Sequence, residues 1–268
     1  MADNRPVGVL DSGVGGLTGV KVLEALAPEE DIIYFGDSKR APYGDKTKEE
    51  IIEYTLQDVA FLCEHHIKAL LIACNTITAY TLLPLQETYP EMPVVGTIIP
   101  TAESAIRMSR NGHIGIIATQ ATVNSMAYDA ELQKQHPEAQ IISKACPKLV
   151  PLIEGGHIGA EDETLYRVAE EYLVPLRERS VDTLIMGCTH YPIIRAVIQK
   201  VMGESVSLVD SGGASAENIL RRLDEKGLRA EKGRKGVTKV FCSANRENFL
   251  TIAKAVLDRD IDRHLELV

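Results

Sequence analysis

Leu70-Leu71-Ile72-Ala73-Cys74-Asn75-Thr76 and Leu184-Ile185-Met186-Gly187-Cys188-Thr189-His190 share one pattern: an apolar run, a small residue, a cysteine, then polar residues suited to begin a helix. A short apolar run with these flanks reads as a buried parallel strand that feeds a helix. Working outward, similar runs occur at 7–10, 32–35, 93–96, 114–118, 206–209 and 238–242. Amphipathic stretches lie between them. The clearest spans about Thr47 to Ile67: Thr47 and Glu50 make a capping box, and Ile52, Leu56, Val59, Cys63 and Ile67 share one helical face. The alternation predicts an α/β fold with mostly parallel sheets flanked by helices. A second internal match, PVGVLDS at 6–12 with HIGIIAT at 113–119, adds to the first and suggests a duplication. We therefore expect two similar α/β domains, 1–97 plus 207–268 and 98–206. The segment containing Asp210-Ser211-Gly212-Gly213 crosses back to the first domain, and a cleft lies between the two.

The 268 residues are 45% hydrophobic and 25% charged, enough to build packed cores and too apolar for a disordered chain. A net charge of −9 argues against nucleic acid or an anionic membrane as the main partner. An anionic substrate must then be held by local dipoles, against the global field. No apolar run reaches membrane-spanning length, and no basic segment with a long apolar core opens the chain, so neither a span nor a signal peptide is expected. Five cysteines without a CxxC pair read as free thiols in a reducing cytoplasm, not as a disulfide framework or a zinc site. The histidines show no metal-ligand spacing.

Cys74 and Cys188 stand where α/β folds bind ligands, at the carboxyl ends of strands. At a helix start, unpaired amides and the helix dipole can lower a thiol pKa from ~8.5 to ~3.5–7.5. One such cysteine is equally well a small packing residue. Two at equivalent places in duplicated halves point to opposed acid/base groups on one carbon, the arrangement that a racemase requires. Cys63, Cys146 and Cys242 read as packing residues. The stretch Asp11-Ser12-Gly13-Val14-Gly15-Gly16 looks like a dinucleotide fingerprint, with Asp37 placed as the ribose acid. Yet Thr18 stands where its third glycine belongs, and the Asp11 carboxylate would repel a pyrophosphate. The loop Asp37–Asp45, with Tyr43 and Gly44, has the turn-rich composition of a cleft edge. His190 is placed to serve as acid or base beside Cys188. Glu154, in a glycine-rich turn, reads on composition alone as loop surface.

Taken together, these segments resemble the glutamate racemases of the cofactor-independent aspartate/glutamate racemase family. The matching pieces are 8–16 (GVLDSGVGG), Pro42-Tyr43-Gly44, Ala73-Cys74-Asn75-Thr76, Pro151–Glu154 and Gly187-Cys188-Thr189-His190, in the family's order. Related aspartate racemases usually carry an acidic residue where His190 stands, which favours glutamate. The resemblance implies two α/β domains around a shared site and isomerase activity on free glutamate without cofactor or metal. It also implies a supply of D-glutamate for peptidoglycan and hence cell shape, a cytoplasmic location and a homodimer. It makes Cys74 and Cys188 catalytic, Cys74 acting on D-glutamate and Cys188 on L-glutamate, with Asp11, His190 and Glu154 assisting. Substrate contacts carry over onto Asp11, Ser12, Tyr43, Gly44, Asn75, Thr76, Thr189 and His190. With only about six residues before the first strand, the precursor activation linked to N-terminal extensions in some relatives is not expected. Three other readings stay open: an aspartate or hydantoin racemase, a non-catalytic dicarboxylate-binding protein, and a nucleotide-binding oxidoreductase.

Overall fold

The computed structural model describes residues 2–268. From the N-terminus the elements are β1 (Val7–Asp11), α1 (Leu17–Leu26), β2 (Ile32–Gly36), α2 (Lys48–Glu64), β3 (Ala69–Ile72), α3 (Asn75–Thr88) and β4 (Val94–Val95). Next come α4 (Ile98–Met108), β5 (His113–Ala118), α5 (Gln120–Asn124), α6 (Ala127–Gln135), β6 (Gln140–Ala145), α7 (Leu149–Glu154) and α8 (Glu163–Arg177). The rest are β7 (Thr183–Gly187), α9 (Arg195–Met202), β8 (Ser207–Asp210), α10 (Ser211–Lys226), β9 (Thr238–Cys242), α11 (Arg246–Leu257) and β10 (Leu265–Leu267).

The strands form two sheets, ordered β10-β9-β2-β1-β3-β4 and β6-β5-β7-β8, with every pairing parallel. The duplication is plain in the topology: β2-β1-β3-β4 in one sheet corresponds to β6-β5-β7-β8 in the other. Alternate residues of the first sheet face opposite layers. Val7, Val9 and Leu71 pack with Leu17, Val20 and Ile219, whereas Leu10, Leu70 and Ile72 pack with Ile51, Val59 and Leu62. Strands covered on both faces need continuous apolar runs, which is why these were readable. Among the described residues, no helix is long and apolar enough to cross a membrane.

The structure departs from the sequence reading in three places. Strand β8 pairs with β7, from Thr183↔Ser207 to Met186↔Asp210, so 207–210 belongs to the second sheet. The return to the first sheet starts at α10, whose Ala216, Ile219, Leu220 and Leu223 enter that core. Strands β6 and β10 escaped notice: β6 is a partly exposed edge strand diluted by Ser143 and Lys144, and β10 has only three residues. The capping box of α2 is present, with Glu50 N–H donating to Thr47 Oγ1 at 3.2 Å and Thr47 N–H to Glu50 Oε2 at 2.8 Å. Its buried face, however, is Ile51, Thr55, Asp58, Val59 and Leu62, while Leu56 is 46% exposed. The apolar stripe misleads because two polar residues are buried with satisfied partners. Thr55 Oγ1 donates to the Ile51 carbonyl at 2.6 Å, and Asp58 accepts from Arg40 and lies 3.0 Å from the Tyr43 hydroxyl.

Candidate active site

One cleft lies at the carboxyl ends of both sheets. Ser12, Tyr43, Gly44, Cys74, Asn75 and Thr76 line it from one side, and Glu154, Cys188, Thr189 and His190 from the other. Of the candidate residues, Asp11 alone does not line it. Asp11 lies fully buried behind the wall, accepting from the Gly13 amide at 3.0 Å and from Thr189 Oγ1 at 3.2 Å. Among the described residues, no group of three or more His, Cys, Asp or Glu side chains is gathered as a metal site.

The glycine motif has a steric cause. The chain from Ser12 to Gly16 is a loop, and α1 starts only at Leu17, so Ser12 precedes the helix by a full loop. The Tyr34 hydroxyl donates to the Gly13 carbonyl at 2.7 Å and holds the loop on β2. A Cβ on Gly15 would stand 2.4 Å from Thr189 Oγ1 and 2.6 Å from His190 Nδ1. Glycine here lets the first half approach the second.

The two cysteines differ in setting more than their sequence pattern suggests. Cys74 is the residue before α3, so it does sit at an α-helix N-terminus. Asn75 and Thr76 are not side-chain caps. The Asn75 amide donates to Ser211 Oγ (3.2 Å) and accepts from Thr97 Oγ1 (3.0 Å) and the Tyr128 hydroxyl (2.6 Å). Thr76 Oγ1 lies 2.9 Å from Thr119 Oγ1 and 3.0 Å from Thr122 Oγ1. Cys188 leads instead into a 3₁₀ turn, Tyr191–Ile194, with Pro192 near its start, and α9 begins later.

Each thiol has its own partners. Ser12 Oγ is 3.5 Å from Cys74 Sγ. Burial, then the charge of Asp11, pushes the Cys74 thiol up to about 12, although the Ser12 hydroxyl and the Ile77 amide favour its thiolate. The lowering expected from the helix start is thus overturned at Cys74, because desolvation outweighs the helix amides. On the other side, His190 Nδ1 lies 3.9 Å from Cys188 Sγ, and Nε2 lies 3.0 Å from Glu154 Oε1. Burial opposes a charge on His190, but the Cys188 sulfur and the Glu154 carboxylate prevail and push it up to about 10. At neutral pH it is an imidazolium. Burial also raises the Asp11 carboxyl, against the pull of His190 and of donors from Gly13, Gly16 and Thr189. Glu154 ends α7 with its side chain part-exposed at the cleft, and is not a surface loop residue.

Thr119 also lines the cleft, as does Val150, and neither was singled out from sequence. Thr119 had a signal: the internal repeat aligns it with Ser12. Val150 had none.

The sequence profile of the Asp/Glu/Hydantoin racemases matches residues 19–219. The chain belongs to this racemase family. Within the family it is 41% identical over 263 residues to the glutamate racemase of Streptococcus equi subsp. equi, covering 97% of each chain. It superposes on a glutamate racemase from Bacillus anthracis with a TM-score of 0.94 at 35% identity, covering 99% of this chain and 98% of that one. A Francisella tularensis glutamate racemase, solved in complex with D-glutamate, gives 0.91 at 36% identity with the same coverage. The racemase architecture of two parallel sheets flanked by helices is common to this chain and these structures.

Proposed function

We propose that this chain is a glutamate racemase that interconverts L- and D-glutamate by proton transfer at two thiols, with no cofactor. The observation that carries the reading is the pair Cys74 and Cys188. They come from equivalent strand ends of the two sheets, line one cleft, and have separate polar partners. Full-length similarity to glutamate racemases supports the choice of substrate.

The α-proton of an amino acid is weakly acidic, because its removal concentrates negative charge beside an ionised carboxylate. Backbone amides at the start of α3, which have no acceptor within the helix, and the Ser12, Thr76 and Thr119 hydroxyls supply aimed dipoles for the two carboxylates. From L-glutamate, the Cys188 thiolate takes the α-proton on one face, and the Cys74 thiol gives its own proton to the other. The pair is then left in the opposite protonation state, ready for D-glutamate. The His190 imidazolium stabilises charge on Cys188, and Glu154 holds the ring in place. Asp11 serves the Cys74 side. Positioned acid/base groups contribute ~10²–10⁴-fold, so orientation and electrostatics supply the remainder.

The same reading gives a cytoplasmic homodimer supplying D-glutamate for peptidoglycan, with one domain of 1–97 plus 211–268 and another of 98–210. Chiral chromatography after incubation with L-glutamate or L-aspartate tests the activity. We expect racemisation with a higher kcat/KM for glutamate. Equal or reversed preference would move the assignment to another racemase, and binding without turnover would favour a dicarboxylate-binding protein.

A further inference from the structure

Tyr43 forms part of the cleft wall, but its hydroxyl is committed to two carboxylates that do not line the cleft. It lies 2.6 Å from Asp37 Oδ2 and 3.0 Å from Asp58 Oδ2. Both carboxylates are buried, Asp37 at 1% and Asp58 at 2% exposure. One cation serves them. The Arg40 guanidinium donates to Asp37, to Asp58 Oδ1 and, at 2.6 Å, to Gln57 Oε1, and it lies 4.5 Å from the centre of the Tyr54 ring. On the far side, Ser243 Oγ donates to Asp37 Oδ1 at 2.7 Å. The charged and titratable groups facing Asp58 are therefore Asp37, Arg40 and Tyr43 from the loop after β2, with Tyr54 on its own helix.

Two counts bear on this cluster. Two ionised carboxylates against one guanidinium would leave a buried charge uncompensated. A phenol has one hydrogen, which cannot serve two carboxylate oxygens at full strength. Both problems vanish if one carboxyl keeps its proton and donates to the phenol oxygen. We propose that Asp58 is this group: its neutral carboxyl donates to Tyr43, Tyr43 donates to Asp37, and the relay makes Asp58 a positioning residue for the Tyr43–Gly44 wall of the cleft. The wall has little freedom to spare, since a Cβ on Gly44 would stand 2.7 Å from Thr119 Cβ across the cleft. Burial and the charge of Asp37 push the Asp58 carboxyl up to about 7. Above that pH the proton leaves, the two carboxylates repel, and the wall loosens.

The proposal rests on the racemase reading of the cleft. Its test is the pH dependence of KM for glutamate, from pH 6 to 9, in the wild type, Asp58→Asn and Asp58→Ala. In the wild type, KM rises through neutral pH. Asp58→Asn keeps a neutral donor of the same shape, so its KM stays low and lacks that rise. Other groups that titrate above neutrality act equally in both, so the difference between the profiles isolates Asp58. Asp58→Ala loses the relay and raises KM by ~10-fold at all pH values with a smaller change in kcat, as expected for one lost buried hydrogen bond. A wild-type rise retained in Asp58→Asn, or a folded Asp58→Ala with normal KM, would overturn the proposal. Absence of racemisation in the wild type would instead overturn the function. Calorimetric binding of D-glutamate by the same variants then reads the wall directly, with the same pattern expected in Kd.

Discussion

Glu154 decides what His190 can do. With the Cys188 sulfur beside Nδ1 and the carboxylate 3.0 Å from Nε2, the ring holds its proton well above neutrality; without the carboxylate, the sulfur alone opposes burial. Glu154→Gln therefore lowers the imidazole pKa from about 10, which an NMR titration of the ring protons reads directly. The loss of one charge-assisted hydrogen bond predicts a ~10–100-fold fall in activity, and the wild-type pKa with full activity would contradict this role. The same shift has a stability sign. A histidine raised in the folded state contributes stability that is fully present below its unfolded pKa of ~6.5 and is lost as pH climbs through the folded value. Melting temperature should thus fall between pH ~6.5 and 10 in the wild type and fall less over that window in Glu154→Gln.

Loops and helix starts set the precision of the cleft, and glycines show where. Gly15→Ala drives a Cβ into Thr189 Oγ1 and His190 Nδ1, so it displaces both groups on the Cys188 side. A misplacement of this order can cost ~10²-fold, and kcat/KM measured on folded protein should fall accordingly. Gly213 on α10 has open space within 4 Å, and Gly213→Ala should stabilise the helix by ~0.5–1 kcal/mol in denaturant titrations without loss of activity. If Gly15→Ala were fully active, the close approach of the two halves would not matter to the site. This scale also marks how far the sequence could be read. The strands carrying Cys74 and Cys188 are buried on both faces, so their apolar runs stood out, and the α2 cap was legible because Thr47 and Glu50, three residues apart, bond to each other. The buried face of α2 was not, because Thr55 returns its hydroxyl to the Ile51 carbonyl of its own helix and Asp58 is inside for partners on the loop after β2. Asp37 looked like a ribose acid for the same reason: its real partners, Tyr43, Arg40 and Ser243, come together only in the fold.

At the scale of the whole molecule, duplication gives the cleft its symmetry and later divergence gives it two unlike sides. Equivalent strand ends carry the two cysteines, and the repeat pairs Ser12 with Thr119 and Thr76 with His190. The first side buries a thiol pushed up to about 12 near a carboxylate; the second sets a thiol beside an imidazolium. Opposed thiols of unlike setting suit a reaction in which one group takes a proton while the other gives one. A glutamate analogue with a β-leaving group separates these two acts, because elimination needs abstraction alone. Cys74→Ser and Cys188→Ser should each lose racemisation, since a neutral hydroxyl is a poor base and a poor acid near pH 7. Cys74→Ser, with Cys188 intact, should eliminate only from the L-analogue, and Cys188→Ser only from the D-analogue. Elimination from both enantiomers at similar rates in both variants, or near-normal racemisation by either one, would contradict the opposed-thiol site.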